Sequence, residues 1–237
     1  IHYMTNKDSA YAEENVIVFV HGLTVSHRYM CPVACELVDS YRVYIPDLPG
    51  FGKSAKPAQA LNLDEQVDAL VAWMDVVGVK QATFVGNSLG CQILARLALR
   101  YPERVTHLVL TGPTMDIRAR TAHQEIMRFL INVPGEPFSL YPIVIRDMLD
   151  LGPRRLAQTF RYGLQDDITQ HLPSINIPTL VVRGSRDTIA PQRWAEEVTK
   201  LLPCGRLVVI PNAAHDVTYN APRQLARCIR AFLRLPV

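Results

Sequence analysis

The apolar run Ala82-Thr83-Phe84-Val85 ends in Gly86-Asn87-Ser88-Leu89-Gly90, and a helix-like run, Cys91-Gln92-Ile93-Leu94-Ala95-Arg96-Leu97, starts at once. A strand that passes straight into a helix is half of a βαβ unit, and such units build parallel sheets covered by helices. The turn itself has a chemical consequence. Gly-x-Ser-x-Gly at a strand-to-helix bend holds the serine in strained backbone geometry with its hydroxyl exposed, and the flanking glycines remove side chains that would collide there. The serine also lies at a helix N-terminus, where free N–H groups and the dipole favour an oxyanion. Ser88 is thus a candidate nucleophile, against the plainer reading of a structural turn.

The alternation continues along the chain. Strands are expected near 16–20, 42–46, 82–86, 105–111, 179–183 and 206–210, with helices near 27–39, 62–77, 89–101, 191–202 and 221–234. The second helix opens on Asn62-Leu63-Asp64-Glu65, a good N-cap, and closes at Gly78. Ile1-His2-Tyr3-Met4 reads as the middle of an early hairpin, with a first strand expected ahead of it. From Pro113 to Asn176 the patterns are helical and no strand is expected, so the α/β unit divides into 1–112 and 177–237 around an insert of 113–176.

A serine hydroxyl needs a base, and the base needs an orienting carboxylate. The strand-to-helix bend predicts the order Ser, Asp or Glu, His. Asp187 follows the strand-like Pro178–Gly184, and His215 follows Arg206–Ile210 and the turn Pro211-Asn212-Ala213-Ala214. Both fall beyond strand C-terminal ends, where sites of open parallel sheets collect. Asp187 has a rival use as a helix cap near Pro191, and Asp116 is a rival acid. His21 follows the first long strand and reads as a loop former. His107 lies in a strand-like stretch, and His123 and His171 lie in the insert. Asp216 is expected to face away from the Ser88–His215 axis.

His21-Gly22-Leu23-Thr24, Pro46-Asp47-Leu48-Pro49-Gly50-Phe51-Gly52-Lys53-Ser54, the Ser88 bend, Gly184-Ser185-Arg186-Asp187 and Asn212-Ala213-Ala214-His215 together resemble the α/β-hydrolase superfamily over nearly the whole chain. The resemblance implies a mostly parallel central sheet flanked by helices, with the 113–176 insert as a helical cap. It also implies a Ser88–His215–Asp187 triad and an oxyanion hole from the backbone N–H groups of Leu23 and Leu89, with Thr24 as the alternative to Leu23. Carboxylic-ester hydrolysis is then the leading activity. Carbon–carbon bond hydrolysis of dienoic keto-acids is the alternative, because Gly86-Asn87-Ser88-Leu89-Gly90 resembles the Gly-Asn-Ser-Met-Gly of those enzymes. Against it, the His-Gly loop lacks their Gly-rich continuation, and Asp216-Val217 stand where they place an aromatic. A binding protein on the same fold is a third reading.

Composition excludes other classes. At 237 residues, 49% apolar and 20% charged, the chain suits one globular domain, and a net charge of +3 is too small to point to nucleic acid. No 18-residue apolar run indicates a membrane span. Five scattered cysteines fit a reducing compartment such as the cytoplasm, and Cys31, Cys35, Cys91, Cys204 and Cys228 read as buried thiols. Cys31 and Cys35 lack neighbours in sequence for zinc, and no motif asks for a metal or cofactor; the expected partner is a small acyl substrate. In the insert, Arg118, Arg120, Arg128, Arg146, Arg154, Arg155 and Arg161 are matched by Asp116, Glu125, Glu136, Asp147, Asp150, Asp166 and Asp167. They read as a solvated mixed-sign surface, and the insert's many apolar residues read mostly as packing.

Overall fold

The computed structural model describes residues 1–6 and 15–234. Seven strands form one sheet in the order β1-β3-β2-β4-β5-β6-β7. They are β1 (Tyr3–Thr5), β2 (Val16–Val20), β3 (Arg42–Pro46), β4 (Ala82–Asn87), β5 (Val105–Thr111), β6 (Thr179–Gly184) and β7 (Gly205–Ile210). Every pairing is parallel except β1 with β3, where Tyr3 faces Pro46. The early hairpin expected at the N-terminus is therefore corrected: β1 skips β2 and pairs at the sheet edge with β3. The remaining strands fall within a residue of their expected bounds.

Strands β2, β4 and β6 are buried on both faces, which is why they read as continuous apolar runs rather than alternating ones. Successive residues of β2 feed opposite layers. Val16, Val18 and Val20 pack with α2 (Leu63–Val77), α3 (Leu89–Arg100) and α7 (Gln192–Leu201), while Ile17 and Phe19 pack with α1 (His27–Cys35) and α9 (Pro222–Leu233). Asn62 and Glu65 form the capping box that opens α2, and Gly78 closes it in the left-handed region at φ 76°. Helix α1 stops at Cys35, short of the expected Asp39, because the chain tightens into three-residue turns such as Leu37 N–H to Ala34 O at 2.9 Å. A short α8 (Val217–Asn220), not expected, precedes α9.

Between β5 and β6 the chain forms α4 (Ala122–Asn132), α5 (Tyr141–Leu151), α6 (Pro153–Gln165) and single 3-10 turns. Two expectations for this stretch are corrected. Asp116, Glu125, Glu136, Asp147 and Asp166 are buried rather than solvated. Arginines from elsewhere account for much of this: Arg96 holds Asp166, Arg28 holds Asp147, and Arg193 joins Arg128 on Asp116. Conversely, Leu130, Ile131, Phe138 and Leu149 are exposed instead of packed. The cysteine expectation also changes, since Cys35 and Cys204 are exposed and only Cys91 is fully buried. No helix among the described residues is long and apolar enough to cross a membrane.

Candidate active site

Four loops at the C-terminal ends of β2, β4, β6 and β7 build the site. At the end of β4, Ser88 adopts φ 55° and ψ −120°, the strained turn its glycines anticipate. A side chain at Gly90 would stand 2.3 Å from the Val20 carbonyl oxygen, so only glycine lets α3 start this close to β2. Ser88 N–H donates to Thr111 O at 3.0 Å, which fixes the bend to β5.

His215 and Asp187 meet 28 residues apart in sequence. Nδ1 of His215 lies 2.9 Å from Oδ2 of Asp187, and both side chains are buried. Oδ1 of Asp187 accepts from the N–H groups of Ile189 and Ala190, each at 2.9 Å. Oδ1 thus ties down its own loop, and the helix-cap expectation is corrected, because α7 begins after Pro191 without a side-chain cap. Arg183 braces the loop by donating to Asp187 O and Ala190 O. Asp116, the rival acid, is instead held by Arg118 N–H, Arg128 and Arg193. Burial opposes charge on His215, but the adjacent Asp187 carboxylate outweighs it, with Asp216 and Glu136 adding, and the imidazole is raised to about 9.

Ser88, His215, Leu23 and Leu89 line one cavity of about 660 Å³, with Thr24 on the same wall. Its remaining surface comes mostly from the helices between β5 and β6. Asp216 is among its lining residues as well, and its backbone N–H donates to Glu136 at 2.9 Å. Burial and the neighbouring Glu136 carboxylate push the Asp216 carboxyl up. His21 is buried and serves its loop, accepting Leu48 N–H on Nε2 with Nδ1 at 2.8 Å from Gly22 O.

Several supports were not foreseen. Tyr29 hydroxyl accepts from Gly22 N–H at 3.1 Å and donates to Asn87 Oδ1 at 2.8 Å, and Asn87 Nδ2 donates to Thr111 O and His215 O. One buried chain of hydrogen bonds therefore ties the His-Gly loop, the serine bend and the histidine loop. Gly112, at φ 53°, leaves room for the pair, since a Cβ there would lie 2.8 Å from the His215 ring. Its place immediately after β5 was the only available signal; Tyr29 sits on α1 and had none. His2, His27 and Asp47 also converge, but Asp47 already accepts N–H bonds from His27 and Lys53 besides both rings, a hydrogen-bonded loop anchor.

Known proteins match this architecture. A family model described as alpha/beta hydrolase fold matches residues 15–142, and one described as TAP-like protein matches residues 159–236. The chain is 27% identical to a pimeloyl-[acyl-carrier protein] methyl ester esterase from Nitrosomonas europaea, over 91% of this chain and 94% of that one. It is 50% identical over 78 residues to a 2-hydroxymuconate semialdehyde hydrolase from a Pseudomonas species, covering 32% of this chain and 28% of that one. A thermophilic esterase from Thermogutta terrifontis superposes with a TM-score of 0.81 at 22% identity, covering 98% and 92% of the two chains. The curated relatives named are an esterase and a hydrolase, which supports hydrolase activity here. The first family match spans more than half the chain, and the chain belongs to the alpha/beta hydrolase family.

Proposed function

We propose that this chain is a serine hydrolase that cleaves a small carboxylic ester through an acyl-enzyme intermediate. The observation that carries the reading is the His215–Asp187 contact at 2.9 Å on the wall of a cavity that Ser88 also lines. With Nδ1–H directed to Asp187, Nε2 is the basic nitrogen. It takes the Ser88 hydroxyl proton as Oγ bonds to the carbonyl carbon, and the N–H groups of Leu23 and Leu89 receive the oxyanion. Collapse breaks the bond to the alcohol oxygen, which leaves with the proton from His215. Water, deprotonated by the same nitrogen, then attacks the acyl carbon and releases the acid and Ser88. Residues 113–176 act as the lid that shapes the acyl site over the core of 1–112 and 177–237. The substrate is a small molecule, not nucleic acid or a membrane surface.

The esterase relative supports ester chemistry. Carbon–carbon hydrolysis gains from the 50% match, but no Lys or Arg among the described residues lines the cavity to receive a keto-acid carboxylate. A fluorophosphonate probe and a panel of p-nitrophenyl esters beside a dienoic keto-acid test the proposal. Labelling should vanish in Ser88→Ala, and Ser88→Ala and His215→Ala should each lower kcat by about 10⁴-fold without multiplying when combined. Folded wild-type protein that neither labels nor turns over any ester would make this a binding protein instead.

A further inference from the structure

The peptide group between His215 and Asp216 is held on both edges. Its oxygen, His215 O, accepts from Asn87 Nδ2 at 3.5 Å, a donor from the serine bend. Its N–H, that of Asp216, donates to Glu136 Oε1 at 2.9 Å, an acceptor from the stretch between β5 and β6. A peptide unit is planar, so a hold on each edge leaves this one little freedom to tilt. The same plane carries the His215 backbone, and its setting aims the imidazole. Glu136 grips the neighbouring turn as well. Its Oε2 accepts Asn220 Nδ2 at 2.7 Å, at the far end of α8, while Asn132 Nδ2, at the end of α4, donates to Oε1 at 3.0 Å. The 3-10 turn Val133–Gly135 ahead of it lies against the histidine loop, since a Cβ at Gly135 would stand 3.3 Å from that of Ala214.

Elsewhere the 113–176 stretch is fastened by acids paired with arginines from the core: Asp166 with Arg96, Asp147 with Arg28, Asp116 with Arg193. Glu136 is fastened differently. It is 8% exposed, and its partners among the described residues are amide N–H groups, two of them from the histidine loop and α8. Fastening alone does not call for a buried carboxylate held this way, which is costlier to keep than a paired one. The group beside it that can turn cationic is His215. Burial lowers the proton affinity of that ring, Asp187 outweighs the burial, and Asp216 and Glu136 add to Asp187.

Resting on the acyl-hydrolase reading above, we propose that Glu136 is a positioning residue for His215, clasping the His215–Asp216 peptide from the 113–176 stretch and so setting the imidazole that serves Ser88. That stretch then does more than shape the acyl site, because it also holds the base that the core supplies. The reach of Glu136 fixes where the ring stands, and its charge favours the imidazolium that forms while Ser88 is acylated.

Two substitutions separate charge from reach. Glu136→Gln keeps the length and one acceptor oxygen but removes the charge. The rising limb of kcat/KM on p-nitrophenyl hexanoate, after subtraction of uncatalysed hydrolysis, should then move to lower pH by about half a unit or more. The other acids facing His215 are Asp187, Asp216 and, from α4, Glu125. They stay in place, and they do not mask the shift. Burial pushes Glu125 up to about 7 and raises Asp216 too, yet both are ionised across a limb near 9. Glu136→Asp keeps the charge but is one methylene shorter, so kcat should fall by about tenfold or more with KM within about twofold of wild type. Asp166→Asn is the comparison for mere fastening: it weakens the hold of Arg96 and should lower the melting temperature without moving the limb. A limb unmoved in Glu136→Gln, a limb moved as far by Asp166→Asn, or an unchanged kcat in Glu136→Asp would overturn the proposal. NMR titration of protein labelled with 15N-histidine reads the charge effect without turnover, the His215 signal being the one lost in His215→Ala. If Ser88 stays unlabelled and no ester is cleaved, the acyl-hydrolase reading fails, whereas His215 titrating alike in wild type and Glu136→Gln overturns this one whatever the ester rates. Should circular dichroism show one Glu136 variant unfolded, the other decides.

Discussion

His215 gains its proton affinity from one oxygen of Asp187, and that dependence has a sign. The imidazole must be neutral to act as base, so kcat/KM should rise with pH toward the raised value near 9. Asp187→Asn removes the charge that raises it, so the rising limb should move to lower pH while kcat falls on the order of 10⁴-fold. Stability runs the other way. A folded-state value above the unfolded 6.5 means the pair stabilises the fold fully below pH 6.5 and ceases to do so as pH rises through about 9. Urea melts at pH 6 and pH 10 should show this difference in wild type and a smaller one in Asp187→Asn; an unchanged difference would mean other groups cause it. Asp116→Asn should leave the ester rate near wild type and lower stability instead, because it weakens a buried anchor for Arg128 and Arg193. Gly112→Ala forces a methyl group into the His215 ring at a position of positive φ, and activity should fall by at least tenfold. Gly78→Ala is the control: it has positive φ but open space around it, so only melting temperature should drop.

At the level of elements, the stretch between β5 and β6 separates residues that line the cavity from residues that merely look as though they do. Phe129 lines the cavity, whereas Phe138 is 85% exposed. Phe129→Ala should shift the preference between short and long p-nitrophenyl esters by about 1–3 kcal/mol in kcat/KM, and Phe138→Ala should move neither that nor stability by more than ~0.5 kcal/mol. Equal effects from both would place the acyl chain elsewhere. The same stretch shows where sequence reading stops. Strands β2, β4 and β6 were legible because parallel pairing buries both faces and demands apolar runs, and α2 because Asn62, Glu65 and Gly78 mark its ends chemically. The serine, aspartate and histidine positions were legible because each follows a strand. Nothing local distinguishes Phe129 from Phe138, or reveals that Arg96 and Arg193 come from outside the insert to bury Asp166 and Asp116. Those outcomes are set by packing between segments 70 and 77 residues apart. Likewise β1 joins β3 rather than its neighbour in sequence, a choice made by the sheet and not by the three residues of the strand.

Across the whole molecule, the groups proposed to react are gathered by a sheet whose order is unlike the order of the chain. Asn87 Nδ2 reaches the His215 carbonyl across 128 residues, and β7, which carries the histidine loop, is the edge strand laid against β6. Contacts of such long range make folding slow relative to helical proteins of similar size. Translation adds a timetable. At roughly 5–20 residues per second, a ribosome needs on the order of six to twenty-five seconds to run from Ser88 to His215, and His215 is among the last site residues to leave the exit tunnel. Through all of that interval a nascent chain holds Ser88 without the base proposed for it, so on that reading its hydroxyl stays inert until the final strand docks.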